Sequence, residues 1–148
     1  MRIPFSALLG LVLTGGFLFI AVFAQVIAPY PIDSTVGGVW DGPSATHWLG
    51  TDTIGRDIFS RLIYGAQITI FVALASSILS FSLGSFLGVL AAVRGGWVDQ
   101  VLMRITDIFL AFPRLILALA LVAVLGPGIE NAVLAIALTA WPPYARVA

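Results

Sequence analysis

Between Arg61 and Arg94 lie 32 consecutive residues without a charge, Leu62 to Val93. A helix needs about 20 predominantly apolar residues to cross a bilayer, so this run crosses one with residues left over for a tilt or an interfacial lead-in. In hydrocarbon each backbone N–H and C=O must find its partner inside the segment, and an α-helix is how a single apolar run does so. A second uncharged stretch, Ile3 to Ile32, has its apolar body at Phe5 to Ala28 and ends at Pro29-Tyr30-Pro31. A third, roughly Ile105 to Leu125, carries Asp107, Pro113 and Arg114. Gly126-Pro127-Gly128 then reads as a turn. A fourth run, Ile129 to Trp141, meets Pro142-Pro143 and is short for a full crossing. The pattern predicts an all-α, polytopic helical membrane protein with about four transmembrane helices.

Composition agrees. Of the 148 residues 60% are hydrophobic and 9% charged, against about 25% charged in soluble domains. The mean hydropathy is +1.09. Soluble, disordered, collagenous and nucleic-acid-binding classes are excluded. Seven arginines balance seven acids, with no lysine and no basic patch for a polyanion. With no cysteine there is no disulfide framework or thiolate metal site, and we expect no cofactor.

Two readings compete for the first span. Arg2 followed by an apolar stretch, with Val22-Phe23-Ala24 as a cleavage site, fits a signal peptide; a retained anchor fits better, because signal cores run about 7–15 residues and this one is longer. Arginines near span ends favour the cytoplasmic side. With the amino terminus inside, Arg2, Arg94, Arg104 and Arg146 lie inside or at the inner boundary, and Arg56 and Arg61 outside. The outer loop, Pro29 to Arg61, also holds Asp33, Asp41, Asp52 and Asp57.

That loop divides at His47. Tyr30 to Ser44 is rich in turn-forming residues. From Thr51 the spacing of Ile54, Ile58 and Leu62 predicts an amphipathic helix at the outer surface, with Thr51 or Asp52 as its N-cap. Asp52 with Arg56, and Asp57 with Arg61, are then acid-first i, i+4 ion pairs. A catalytic use of His47, Asp52, Arg56 and Asp57 lacks a phosphate loop or metal-ligand spacing, and we expect no enzyme. In the second span Ser76, Ser80, Gly84, Gly88 and Ala92 recur every fourth residue, with Gly84 and Gly88 forming a GxxxG. Small residues in such a stripe let membrane helices approach closely, either within the chain or at a subunit interface. In the third region Arg104 and Asp107 are spaced to pair on one helix face. Pro113 and Arg114 fit an interfacial helix before a short span, or, less simply, a kinked helix turning Arg114 toward a watered path.

The run His47-Trp48-Leu49-Gly50-Thr51-Asp52-Thr53-Ile54-Gly55-Arg56-Asp57-Ile58-Phe59-Ser60-Arg61, followed by Tyr64-Gly65-Ala66, closely resembles the signature of the C-type permeases of dipeptide, oligopeptide and nickel ABC importers. Within it Thr51, Asp52, Gly55, Arg56, Asp57, Ser60 and Arg61 carry the match. Asp99-Gln100-Val101-Leu102-Met103-Arg104, with Asp107 and Pro113, resembles the family's third-span start. Leu125-Gly126-Pro127-Gly128 resembles its outer turn, and Trp141-Pro142-Pro143-Tyr144-Ala145-Arg146 the approach to its cytoplasmic coupling loop. The resemblance implies a type I, MetI-like ABC importer permease fold, here partial, in the plasma (cytoplasmic) membrane with the amino terminus inside. It divides the chain into an amino-terminal helix with outer loop, 1–62, and a partial core, 63–148. It implies a membrane pathway for a peptide or similar small solute, nickel included, with a homologous partner permease, two cytoplasmic ATPases and an extracytoplasmic binding protein. Compared with the family, the chain enters the membrane soon after Arg2 and stops at Ala148, where the coupling loop is due, so the resemblance implies an amino-terminal part of a longer permease. The reading from another class is a small non-transporting membrane scaffold held by the Ser76–Ala92 stripe.

Overall fold

The computed structural model describes residues 4–148; Arg2, to which orientation and signal-peptide readings both appealed, lies outside them. Seven helices follow in order: α1 Phe5–Val22, α2 Ala24–Ile27, α3 Ile58–Arg94, α4 Gly96–Ala111, α5 Arg114–Leu125, α6 Ile129–Ala140 and α7 Pro142–Val147. The chain forms two compact units, Met1–Phe71 and Val72–Ala148.

Two helices, α1 and α3, are long and apolar enough to cross a membrane. At about 1.5 Å per residue, the 18 residues of α1 match a hydrocarbon layer of about 30 Å, and the 37 of α3 exceed it. The third apolar region is broken at Pro113, where an interruption was expected. Its helix starts at Gly96, stops at Ala111 and resumes at Arg114, and the two pieces bend by 93°. Phe112 is extended, with φ −85° and ψ 140°, because a residue before proline is pushed out of the helical region. Counted as one broken span, this pair raises the number of candidate crossings to three. The fourth run forms α6, only 12 residues. At about 18 Å this helix is short for a crossing, which corrects the expectation of about four spans.

In the first unit α1 gives way to α2 at Phe23. Ala21 and Ala24 are buried there, and the ring of Phe23 lies 4.6 Å from that of Phe19. The loop from Ala28 to Asp57 has no helix. It is a knot of turns held by two isolated antiparallel bridges, Thr35 with Arg56 and Thr51 with Asp57. The amphipathic helix expected from Thr51 is therefore absent, and helix begins only at Ile58.

The second unit is built on the small-residue face of α3. Ser76, Ser80, Gly84 and Gly88 are buried. A Cβ on Gly84 would run into the backbone of Trp141 and the Tyr144 side chain, and one on Gly88 into the Ala145 carbonyl. Ser80 Oγ donates to the Ala137 carbonyl at 3.3 Å, and Phe81 meets Tyr144 edge-on with centroids 5.8 Å apart. This stripe packs on α6 and α7 of the same chain. Ala92 is exposed and Ala91 buried instead. The reason is geometric: a strict four-residue repeat drifts by roughly 40° per step on a helix of 3.6 residues per turn, and over four steps the drift carries position 92 off the face.

Helices α5 and α6 pack together across the expected turn, where Asn131 Nδ2 donates to the Leu125 and Gly126 carbonyls at 2.9 and 3.1 Å, closing the end of α5. Helix α4 packs against α7: the Phe109 ring meets Trp141 at 5.4 Å, and Arg146 pairs with Asp107. Asp107 thus has a partner 39 residues away rather than Arg104, and among the described residues Arg104 forms no ion pair.

Leucine at Gly84 or Gly88 must push α7 off α3, so we expect each substitution to destabilise the protein by about 1–3 kcal/mol. Gly16→Leu, with nothing within 4 Å of its Cβ, should leave stability almost unchanged. Thermal melting of the purified variants in detergent separates the two outcomes.

Candidate functional site

The residues that carry the loop signature converge on the amino-terminal end of α3. Asp57 is the residue before the helix and is 3% exposed. Its Oδ2 accepts the Ser60 backbone N–H and Ser60 Oγ–H, both at 2.8 Å, which satisfies one of the donors that every helix leaves orphaned in its first turn. Its Oδ1 stands 3.0 Å from His47 Nδ1. An ionised carboxylate only accepts, so Nδ1 carries the proton and donates. Ser60 Oγ in turn accepts the Tyr30 backbone N–H at 3.1 Å, and the Tyr30 ring lies 5.2 Å from the His47 ring. Three other points of the chain are tied to the Asp57 carboxylate, 47 and 60 directly and 30 through Ser60.

A second centre forms at Thr51, 1% exposed. Its hydroxyl donates to the Gly38 carbonyl at 2.6 Å and accepts the Asp41 N–H at 2.9 Å, while its own N–H donates to the Asp41 carbonyl at 3.0 Å. Asp41 Oδ2 accepts the Gly38 N–H at 2.6 Å. Gly50 and Gly55 have φ of 76° and 77°, a region that L side chains rarely adopt. In each case a Cβ would also strike a backbone carbonyl, of Asp41 or Gly37.

Asp52 makes the third centre. Oδ1 accepts the backbone N–H groups of Ile54 and Arg56 at 2.9 and 3.0 Å. Oδ2 accepts Arg56 Nε at 2.9 Å and also pairs with Arg61. The Asp52–Arg56 pair is thus present, in a turn instead of a helix. The Asp57–Arg61 pair is not, because Asp57 faces inward to His47 and Ser60 while Arg61 reaches Asp52. Thr51 and Asp52 cap no helix; Asp57 does.

Both acids titrate low. The Arg56 backbone N–H holds the Asp52 carboxyl far below the ordinary range against partial desolvation, assisted by Ile54 and the Arg56 guanidinium. For Asp57 burial pushes upward, and the hydrogen bonds from Ser60 and His47 together outweigh it, leaving the carboxyl below its ordinary value.

Other signature positions lie elsewhere in the chain. Pro113 sits at the α4–α5 break and Arg114, exposed, begins α5. Trp141, Pro142 and Ala145 are buried, whereas Tyr144 and Arg146 are exposed. The knot also depends on Tyr30 and Asp41, which sequence reasoning assigned no role. Their links are backbone donors and acceptors joined over 10 to 30 residues, for which no local spacing rule exists. His47 carried a signal as the chain's one histidine, beside a Gly-Thr-Asp turn.

Comparison with known proteins follows this geometry. Residues 84–148 match the family described as binding-protein-dependent transport system inner membrane component. The dipeptide transport system permease protein DppC of Alkalihalophilus pseudofirmus is 41% identical over 142 residues, 95% of this chain and 47% of that protein. The glutathione transport system permease protein GsiD of Pectobacterium atrosepticum is 41% identical over 86% of this chain and 43% of its own length. GsiD of Escherichia coli O157:H7 is 42% identical over 88% and 44%. The chain spans about half the length of the relatives it matches.

Because Asp52 and Asp57 titrate below ordinary carboxyls, the stability they contribute is complete above about pH 3.9, the unfolded value, and is lost as pH falls through their depressed values. Asp57→Asn removes the charge that three donors address, and we expect it to weaken the knot by about 1–3 kcal/mol and to abolish its share of this acid dependence. Melting temperature measured from pH 7 down to about pH 2 in both proteins checks this; an unchanged profile would remove Asp57 from the centre of the knot.

Proposed function

We propose that the chain, whose residues 84–148 match the family of binding-protein-dependent transport system inner membrane components, forms part of the membrane pathway of an ABC importer for a peptide or similar small solute. The observation that carries this is the loop knot fused to the start of α3, whose shape is set by the signature residues Thr51, Asp52, Gly55, Arg56, Asp57, Ser60 and Arg61. The relatives named above bear dipeptide and glutathione in their names, which supports the peptide class. Nickel, which the resemblance had included, has no specific support among them.

In this reading the chain lines a path and carries no catalytic group. ATP hydrolysis belongs to separate cytoplasmic subunits, a homologous permease completes the pathway, and an extracytoplasmic binding protein delivers the solute. The amino terminus faces the cytoplasm, and the knot faces outward, where that protein docks. The amino-terminal helix and outer loop, 1–62, then serve reception, and 63–148 contribute to a MetI-like core. Access alternates between two packings of the helices, and a ligand shifts that balance only by its differential affinity for the two. What supports transport over a scaffold role is that α6 and α7 of the chain itself occupy the stripe a scaffold would use.

The chain lacks cysteine, so single cysteines report topology directly. Gly42→Cys should react with an impermeant maleimide in intact cells and Trp97→Cys only after permeabilisation; the reverse pattern would overturn the orientation. Cells in which the gene is disrupted should lose uptake of labelled dipeptides or glutathione, with recovery on complementation. Complementation by Asp57→Asn should restore membrane abundance but only a small part of the uptake. Full uptake in the disrupted strain would refute the solute class.

A further inference from the structure

The first unit contains a groove between α1 and the outer part of α3, about 480 Å³ in volume, within the ~300–1,000 Å³ of clefts that hold small ligands. Phe17 and Ile20 form one wall, Leu62, Ile63 and Ala66 the other, and Arg61 lies at its outer end. The floor is open at Gly65, where nothing lies within 4 Å of where a Cβ would stand. Thr69, further along α3, spends its hydroxyl on the Gly65 carbonyl at 2.8 Å, so it presents no unmet polar group to the groove.

The guanidinium donors at the mouth are not all spent. Two guanidiniums, Arg56 and Arg61, share the one carboxylate of Asp52. That carboxylate is already engaged by two backbone N–H groups. Arg61 keeps donors beyond the one it spends on Asp52, and its side chain is 42% exposed. Arg61 therefore offers unspent guanidinium donors at the start of α3, beside an apolar cleft between two helices long and apolar enough to cross a membrane. A ligand complementary to this shape has an anionic head and a long apolar tail.

We propose that the groove binds one membrane phospholipid, with an acyl chain between α1 and α3 and its phosphate on Arg61. This rests on α1 and α3 crossing the membrane, and it is independent of which solute is carried. The bound lipid closes the cleft that α1 and α3 leave beside Gly65. It also gives Arg61 a second anionic partner in addition to Asp52, tying the knot to the level of the headgroups.

The test reconstitutes the purified full-length protein into nanodiscs of phosphatidylcholine with 20% photoactivatable phosphatidylglycerol, about one lipid in five by design. Cross-linked peptides are mapped by mass spectrometry. The native protein should cross-link on Phe17, Ile20 and Leu62. Gly65→Leu, whose Cβ meets no other heavy atom within 4 Å, should fill the groove and abolish those cross-links while leaving melting temperature unchanged. Arg61→Gln should lower phosphatidylglycerol labelling roughly fivefold, the worth of about one basic residue near a charged bilayer, and should not lower labelling by an uncharged photoactivatable diacylglycerol. Equal labelling of the native protein and Gly65→Leu would overturn the site. Occupation of the groove by a helix of a partner subunit, seen as protein cross-links at Phe17 and Ile20 in place of lipid, would overturn it as well. The cysteine labelling described above reports separately on whether the helices span, so a failure there is distinguishable from a failure here.

Discussion

A helix entering a bilayer brings with it backbone N–H groups that have no partner in its first turn, and at the start of α3 a single carboxylate supplies one. Asp57 is placed where its Oδ2 meets the Ser60 N–H and Oγ–H at 2.8 Å, and the rest of the preceding loop is built around keeping it there. Its other oxygen takes His47, and Ser60 passes the connection on to Tyr30. A buried carboxylate with one of these donors removed would carry an uncompensated cost of about 1–3 kcal/mol. The start of the span and the fold of the loop are for this reason one structure, although they are separated in sequence by turns and two isolated bridges.

The sequence showed the first two spans clearly because the constraint behind them is local. An uncharged run of 32 residues leaves the backbone one way to satisfy itself in lipid, and the proline at 113 breaks a helix through its effect on the residue before it. The loop was misread for the opposite reason. Ile54, Ile58 and Leu62 have helical spacing, and Asp52 and Arg56 are four apart, yet Gly50 and Gly55 take φ near +76° and +77°. Two left-handed glycines within six residues reverse the chain twice and are incompatible with one continuous helix. The same glycines could have been read as turn markers, since Gly55 follows Asp52-Thr53-Ile54 and Asp side chains readily cap such turns. The i, i+4 rule found the Asp52–Arg56 pair but not the second partner of Asp52, because Arg61 reaches it across nine residues.

In the second unit the small residues of α3 were legible and their partner was not. A period of four marks a face that something approaches closely, but only the fold shows that the approach is made by the carbonyls of Trp141 and Ala145. The two ends of that contact differ in kind. At Gly84 and Gly88 backbone meets backbone, where an added carbon has nowhere to go. At Asp107 and Arg146 two half-exposed side chains meet, an arrangement that contributes about 0–1 kcal/mol when water can reach it. Tight registry between α3 and α7 is therefore set by sterics, and the ion pair between α4 and α7 adds direction more than strength.

Charge placement at the start of α3 follows one rule. Asp52 and Asp57 are buried or nearly so and are met by several donors each, while the arginines near them stay partly exposed. Guanidinium is weakly hydrated and presents several donors in a fixed plane, so it can serve two anions at once, which an ammonium on a flexible stem does less well. A chain whose seven cations are all arginine can in this way use one side chain both to fix a loop and to face a headgroup. At Arg61 the two demands fall on one residue: the Asp52 contact orients the guanidinium, and the groove below it decides what the remaining donors meet. Lysine at 61 would retain the charge but give up the fork that lets both contacts form together, so the identity of this residue, and not its charge alone, connects the knot to the membrane.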